Sequence, residues 1–397
     1  MVKKAKVAGR VRGGGVNLRD YGLIGALVVI IMLFQLMTHG RLLYAANVNN
    51  LIMQNAYVMI LAIGMVMVII AGHIDLSVGS LVAMIGAIVA LAISEWGLPW
   101  PLAVLLALAV GALAGAWQGF WVAFVGIPGF IVTLAGMLIF RGLTLVFLTG
   151  GTIGGLPDGF NAVARGWLPG WFGQIADGRD VLTIFIGVFA VTGMIVGQVR
   201  ARAKLKARNL ARVPLWVFLA RNVVVGVVIL YFAYSLAGHR GAPYVLIVLA
   251  VLILAYTFVL NRTVFGRHVY AMGGNRFAAV MSGVKTKWVD FFLFVNIGTL
   301  TAVAAVVTTA SSGSAVATAG DFFELDAIAA VFIGGAAVQG GVGKISGAVT
   351  GALIMGVLNQ GLSIMGVDPA WQNVIKGLVL VVAVAFDVTT RRRAGDR

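Results

Sequence analysis

Residues 73–89 read HIDLSVGSLVAMIGAIV, and residues 324–338 read ELDAIAAVFIGGAAV. Each stretch is an apolar run with one aspartate near its start, Asp75 in the first and Asp326 in the second. Because a charge is costly in hydrocarbon, each aspartate predicts the end of a membrane-embedded helix. The likeness of the two stretches predicts an internal repeat.

The repeat extends beyond these two stretches. GALAGA at 111–116 parallels GAVTGA at 347–352, and PGFIVTLAG from Pro128 parallels PAWQNVIKG from Pro369. Three matches in the same order favour a true repeat, although each small-x-x-x-small step by itself is typical of plain helix packing in membranes. The predicted repeat halves are residues 50–148 and 289–388.

Composition predicts an all-α polytopic membrane protein. Of the 397 residues 61% are hydrophobic and 11% charged, and the mean hydropathy is +1.02, which excludes a soluble globular domain. A bilayer core of about 30 Å needs about 20 apolar residues per helix. We predict about 12 transmembrane helices, of which 76–94 and 325–338 could be partly re-entrant. The predicted spans lie near 20–38, 50–71, 76–94, 100–125, 128–148, 181–198, 215–237, 243–261, 289–310, 325–338, 345–365 and 370–388.

The lysines and arginines predict the orientation. With a cytoplasmic N-terminus, 22 of the 29 Lys and Arg residues fall on the inner side, and four fall in outer loops. The positive-inside rule therefore predicts that both termini are cytoplasmic. Asp75 then lies on the inner side and Asp326 on the outer side, so the repeat is inverted, as in many transporters. The same bias and anionic lipid contact account for the net charge of +16, so no nucleic-acid partner is expected.

A polar interruption separates two long apolar runs. It reads NRTVFGRHVYAMGGNRFAAVMSGVKTK from Asn261 to Lys287. Asn275 can cap a short helix there, and Gly283 can end it. The residues that would share its apolar face are Phe277, Val280 and Met281. A compact helix outside the bilayer with flanking basic residues has the form of a docking element for a partner.

The chain is predicted to have three parts. They are a basic cytoplasmic segment at 1–19, a transmembrane domain at 20–388 that includes the polar loop 262–288, and a basic cytoplasmic tail at 389–397.

Several chemistries are excluded or disfavoured. The chain has no cysteine, which excludes disulfides, thiolate metal sites and cysteine nucleophiles. GGVGKIS at 340–346 lacks the glycine spacing of a phosphate-binding P-loop. The histidines stand in loops or at span ends, which disfavours a metal site. We expect no catalytic residue, no metal and no cofactor on this chain.

Polar side chains within the spans are the candidates for a translocation pathway. Amides and hydroxyls can hydrogen-bond a polyol, although bonds between helices are the alternative for each. The candidates are Gln54, Asn55, Thr133, Asn296, Asn359 and Gln360. Arg141 also lies within a span and either pairs with a carbonyl or lines an aqueous cavity. Acidic residues are absent near mid-span, except for Asp387 at an inner end, which disfavours a proton relay.

Four stretches carry a resemblance to a known family. They are IDLSVGS at 74–80, PGFIVTLAGMLIFRG at 128–142, FGRHVYAMGGNRFAAVMSGV at 265–284, and the run from Leu325 to Val367. Together they resemble the inner-membrane permease subunits of bacterial ATP-binding-cassette (ABC) sugar importers. The superfamily is the ribose/xylose/branched-chain type, and the xylose-type permeases are the most similar.

The resemblance implies partners and roles. Two permeases would form a homodimer in the bacterial inner membrane, two cytoplasmic P-loop ATPases carrying ATP and magnesium would dock on residues 262–288, and a periplasmic binding protein would deliver the sugar. The residues that match the coupling-loop pattern are Gly266, Gly273, Asn275, Ala278, Ala279, Ser282 and Gly283. Those that match other family motifs are Asp75, Ser77, Gly79, Pro128 and Asp326. His73 departs from the pattern, which bears on substrate choice.

The resemblance therefore predicts a transport subunit without enzymatic activity, moving a monosaccharide such as xylose or another pentose by alternating access. A proton- or sodium-coupled carrier and a branched-chain amino-acid ABC permease are the alternatives.

Overall fold

The computed structural model describes residues 18–175, 177–208 and 213–395. The predicted basic segment 1–19 lies almost wholly outside the described residues, as do the last two residues of the predicted tail 389–397. The helices are α1 (Leu18–Met37), α2 (Ala45–Ile70), α3 (Val78–Ser94), α4 (Trp100–Phe120, continued by a π-helix at Trp121–Val125), α5 (Gly129–Leu148), α6 (Asp158–Arg165), α7 (Val181–Ala207), α8 (Leu215–Ala237), α9 (Tyr244–Arg262), α10 (Val264–Gly274), α11 (Arg276–Met281), α12 (Thr286–Ser312), α13 (Phe323–Ile333), α14 (Ile345–Ile364) and α15 (Pro369–Gly395). Two short strands, β1 (Ile153–Gly154) and β2 (Ser314–Ala315), pair antiparallel.

The all-α polytopic class is confirmed. Among the described residues, eight helices are long and apolar enough to cross a membrane, and three shorter apolar stretches lie at Gly22–Met37, Val78–Ser94 and Pro369–Ala385. Helix α13 has 11 residues, which is about 16 Å and too short to cross a bilayer. The number of 12 spans and the cytoplasmic side of both termini stay predictions.

Two helices continue beyond the predicted spans. The prediction ended one span at residue 198, whereas α7 continues to Ala207 through RARAKLKA. The last predicted span ended at residue 388, whereas α15 continues to Gly395. Alanine, lysine and arginine are good helix formers, so a helix does not have to stop where its apolar residues stop.

The described helices form two compact units. The smaller unit contains residues 170–241 and thus α7 and α8. There Asp180 caps α7, because its Oδ2 accepts hydrogen bonds from Thr183 N at 2.8 Å and Thr183 Oγ1 at 2.5 Å. Gly187 lies directly against Ala233 of α8, which brings the two helices into close contact. Arg179 stacks 3.7 Å above the ring of Tyr234.

The larger unit contains most of α1, then α2–α6 and α9–α15. Helices α3 and α4 pack against α12, while α13 and α14 pack against α2. In each half of the predicted repeat, the second and third helices therefore pack against the first helix of the other half. This exchange is the packing expected of two intertwined repeats.

Small residues allow two of these helix contacts to be close. In α4, Gly111 and Gly115 lie against the backbone of α12 at Gly298 and Phe294. In α14, Gly351 lies against the carbonyl of Ala330 in α13. A side chain at any of these glycines would overlap backbone atoms, which do not give way.

Two non-helical segments interrupt the repeat halves. We name residues 71–77, between α2 and α3, the first connector, and residues 313–322, between α12 and α13, the second connector. The second connector approaches the first turn of α3, since a Cβ on Gly79 would overlap the Gly320 carbonyl oxygen and the Glu324 carboxylate. Gly320 has a φ of +74°, a conformation that favours glycine.

Candidate functional site

The polar loop 262–288 folds into two short helices, α10 and α11. Asn275 separates them and caps α11, because its Oδ1 accepts a hydrogen bond from Ala278 N at 2.9 Å. Ser282 follows α11, and Gly283 then turns the chain with a φ of +81°. The capped helix therefore begins and ends where the sequence predicts.

One face of α11 is apolar and open to solvent. Phe277 is 74% exposed and Met281 68% exposed, and Val280 beside them is also exposed. The opposite side carries Ala279, which is buried, and α11 packs there against α12. A large aromatic and a methionine held this far out of the protein are typical of an interaction surface.

Helix α10 is fixed to the ends of two other helices. At Gly273 it approaches the Ile70 carbonyl at the end of α2 so closely that a Cβ would overlap it, and Gly341 N donates to the same carbonyl at 2.8 Å. The Tyr270 hydroxyl donates to Gly343 O at 2.6 Å. Burial raises the pKa of Tyr270, which keeps this phenol a neutral donor. Gly266 packs against the Leu260 carbonyl at the end of α9.

A buried ionic cluster fixes α11. Asp290 of α12 is fully buried, and its carboxylate forms an ion pair with Arg276, the first residue of α11. His73 of the first connector donates from Nε2 to Asp290 Oδ1 at 2.9 Å. Asp290 thus joins three segments that are far apart in the sequence.

The first connector is held from several sides. Its Asp75 is bonded locally, since Oδ1 accepts from Ser77 N at 2.8 Å and from Ser77 Oγ at 2.7 Å. Gln118 of α4 donates to Ser77 Oγ at 2.7 Å, and Thr133 of α5 donates to Ile74 O at 3.3 Å. Helices α4, α5 and α12 therefore all contact this connector.

The family-motif residues lie in two regions. Asp75 and Ser77 belong to the first connector, and Gly79 meets the second connector one turn later. Pro128 stands at the N-cap of α5, whose first residue, Gly129, lies against His73. Asp326 lies in the first turn of α13.

The structure joins two of the six pathway candidates. Asn359 Nδ2 of α14 donates to Asn55 Oδ1 of α2 at 3.2 Å. Asn296 instead accepts a hydrogen bond from the Tyr256 hydroxyl at 2.5 Å. Gln54 is exposed and Gln360 is buried, next in the chain to Asn55 and Asn359 respectively.

Thr133 of α5, the sixth candidate, donates a hydrogen bond to Ile74 O of the first connector rather than to one of these amides. Among the described residues, the Oδ1 atom of Asn359 and the Nδ2 atom of Asn296 are buried without a hydrogen-bond partner. Each of them retains bonding capacity for a polar molecule.

The ion pair between Asp326 and Lys376 inside the helical domain was not predicted as a pair. Asp326 accepts a hydrogen bond from the Tyr57 hydroxyl at 2.8 Å, and Lys376 Nζ lies 3.3 Å from the same oxygen. The Tyr57 ring stacks on Phe323 with ring centroids 3.5 Å apart. A sequence signal existed, because a lysine and an aspartate inside apolar segments favour pairing with each other.

Arg141 binds the second connector. Its Nη1 donates to Ala317 O at 2.5 Å and to Ala319 O at 3.1 Å, and its Nη2 lies 2.7 Å from Asp321 Oδ1. Of the two sequence-based alternatives for this arginine, pairing with carbonyls is confirmed.

Comparison with known proteins supplies the context for this geometry. The family model of the branched-chain amino acid transport system permease component matches residues 47–384. The xylose transport system permease protein of Escherichia coli K12 is 37% identical over 378 residues, covering 95% of this chain and 94% of that protein. Its counterpart in Haemophilus influenzae is 38% identical over 378 residues, covering 95% and 98%. The ribose import permease protein of Bacillus subtilis is 35% identical over 380 residues, covering 95% of each chain. No solved structure matches the chain.

Proposed function

Because the chain belongs to the family of branched-chain amino acid transport system permease components, we propose that it is the permease subunit of an ABC importer for a pentose. It moves the sugar by alternating access and carries out no covalent chemistry. Xylose is the first candidate and ribose the second.

The observation that carries this proposal is the identity of 35–38% to xylose and ribose permeases along nearly the whole of both chains. Both named sugars are pentoses, so the substrate class rests on two independent groups of relatives. A similarity that covers whole chains includes the helices, the connectors and the polar loop together.

ATP hydrolysis belongs to a separate cytoplasmic subunit, and this chain binds no cofactor of its own. We assign the docking of that subunit to α11, whose exposed Phe277 and Met281 fit a partner's groove. The coupling residues predicted from the sequence surround this helix. They are Gly266, Gly273, Asn275, Ala278, Ala279, Ser282 and Gly283.

A periplasmic binding protein delivers the sugar on the opposite side of the bacterial inner membrane, and two copies of this chain form the pore. These assignments follow from the importer class. The Asn55–Asn359 pair is the best candidate for contact with the moving sugar, because Asn55 is buried and the buried Oδ1 atom of Asn359 is free to accept from a hydroxyl.

The transport experiment uses proteoliposomes that contain this chain with its ATPase, and an added sugar-loaded binding protein. We expect uptake of labelled xylose or ribose that depends on ATP and persists when an ionophore removes the proton gradient. Uptake of leucine in preference to both pentoses would make the chain an amino-acid permease. Uptake without the ATPase that stops with the ionophore would make it a secondary carrier.

A paired substitution tests the docking helix. Phe277→Ala removes an aromatic side chain from α11, and Phe258→Ala removes one that is 62% exposed on α9. Because buried aromatic anchors carry much of an interface's energy, we expect Phe277→Ala to weaken ATPase binding by about 2 kcal/mol or more. Co-purification of the ATPase at matched expression measures it, and Phe258→Ala should leave it unchanged. Equal binding by both variants would place the interface elsewhere.

A further inference from the structure

Asp290 is a fully buried carboxylate whose two charged or polar partners come from outside its own helix. Arg276 is the first residue of α11, and His73 belongs to the first connector, three residues after α2 ends. The cluster therefore connects the proposed ATPase-docking helix with the segment that leads into α3.

The geometry points to Asp290 as a positioning residue that transmits displacement of α11 to the first connector. The inference rests on the proposed function, since it requires an ATPase that moves α11. It adds a specific route from the docking helix into the transmembrane helices.

Burial explains why the link would hold while the helix moves. Separating Arg276 from Asp290 would leave a carboxylate buried without its cation, which is strongly unfavourable. The pair therefore moves as one body, and α12 and α11 shift together.

His73 has little freedom to move away from this pair. Its ring packs against Phe294 of α12 with centroids 5.8 Å apart, and a Cβ on Gly129 of α5 would lie only 3.1 Å from its Nδ1. The His73–Asp290 hydrogen bond thus lies in a closely packed site, and a shift of Asp290 displaces the first connector.

Asp290 also gives a cleaner test than Arg276. The Arg276 side chain is 48% exposed, so a docked ATPase could touch it directly. Asp290 has no exposed surface and the His73 side chain is 15% exposed, so their substitution acts through the permease itself.

The experiment measures sugar molecules transported per ATP hydrolysed, in proteoliposomes with the ATPase and the sugar-loaded binding protein. The variants are Asp290→Asn, His73→Ala and the double variant. We expect each single variant to lower the ratio at least about fivefold, the lower end of measured coupling between two sites. Because both residues act in one link, the double variant should lose no more than the worse single one.

Two controls separate transmission from damage to the fold. Asp180→Asn changes another buried, hydrogen-bonded aspartate, at the start of α7, and should leave the ratio unchanged. The amount of ATPase that co-purifies should stay within about twofold of wild type in all variants, as expected when α11 remains folded and exposed. If Asp290→Asn does not fold, His73→Ala alone decides.

An unchanged ratio in either single variant that folds would overturn the inference. The inference would also be overturned if the loss in the double variant equalled the product of the two single losses. It would be overturned too if the transport ratio fell only in proportion to the loss of bound ATPase. If the wild-type chain shows no ATP-dependent pentose uptake, the proposed function fails and this inference with it. That outcome is recognised before any variant is compared.

Discussion

Asp75 and Asp326 occupy matching places in the two halves of the predicted sequence repeat, yet their surroundings differ. Asp75 is bonded to Ser77, two residues away in the same connector. Asp326 is bonded to Tyr57 of α2 and Lys376 of α15, and so joins three helices. The matching sequence does not give the two charges the same setting, because Asp75 lies in the first connector before α3 whereas Asp326 lies in the first turn of α13, and different helices pack around each.

The two connectors differ in the same way. The first connector reaches α11 through Asp290 and Arg276. The second connector is bound by Arg141 of α5, a helix of the other half. Each half thus fastens the other half's connector, but the cluster at the first connector extends to the surface where the ATPase is proposed to dock.

The largest effect is expected from Asp326→Asn. It leaves Lys376 without its carboxylate inside a helical domain, so we expect a loss of about 3 kcal/mol in stability. Thermal unfolding of the detergent-solubilised protein measures the loss. Adding Lys376→Met removes the unpaired charge, so the double variant should be more stable than Asp326→Asn alone. A double variant as unstable as the sum of the two singles would show that the pair is not a unit.

Gly79→Ala tests the contact between the first turn of α3 and the second connector. The new methyl group meets the Glu324 side chain, which can turn away, and the Gly320 carbonyl, which belongs to the backbone. Forcing a methyl group into such a contact should lower stability by about 2 kcal/mol. Gly142→Ala in α5 is the matched control, because its added Cβ has no atom within 4 Å among the described residues, and its melting temperature should be unchanged or slightly higher, since alanine favours a helix more than glycine. A tolerated Gly79→Ala would mean that the second connector can move away from α3 freely.

Much of this fold is readable from the sequence because the governing signal is local. The predicted span 128–148 became a helix at Gly129–Leu148, and Asn275 was identified as a cap from its residue type and position alone. Hydropathy and capping depend on neighbouring residues, so they need no knowledge of tertiary packing.

The site was less predictable because its contacts are long-range. Asp290 and His73 are 217 residues apart, and no periodicity relates them. The sequence did hold a partial signal, a carboxylate at the start of a predicted span close to the arginine-bearing polar loop. Thr133 shows the same limit, because its hydrogen bond goes to the first connector and not to the amide pair, and the sequence carries no sign of that partner.

Arg141→Met tests how firmly the second connector is held. Its guanidinium bonds to the Ala317 and Ala319 carbonyls are charge-assisted, so their loss should lower stability by about 1.5 kcal/mol. Asp321 is 46% exposed, so the ion pair itself should contribute little, and Asp321→Asn should be nearly neutral. Thermal unfolding of both variants distinguishes the two contributions. If Asp321→Asn is the more harmful of the two, the ion pair and not the carbonyl contact holds the connector.

The smallest effect is expected from Asp75→Asn. It makes the same chemical change as Asp326→Asn at the matching position of the other predicted half. An asparagine Oδ1 can accept both hydrogen bonds that Ser77 donates, so stability should change by less than about 1 kcal/mol. Ser77→Ala should cost more, because it also removes the acceptor of the Gln118 amide. Unfolding measurements on the two asparagine variants then compare one chemical change at two repeat positions. A loss at Asp75 as large as that at Asp326 would mean that the first connector's aspartate also joins helices, and the functional difference between the halves would have to lie in Asp290 alone.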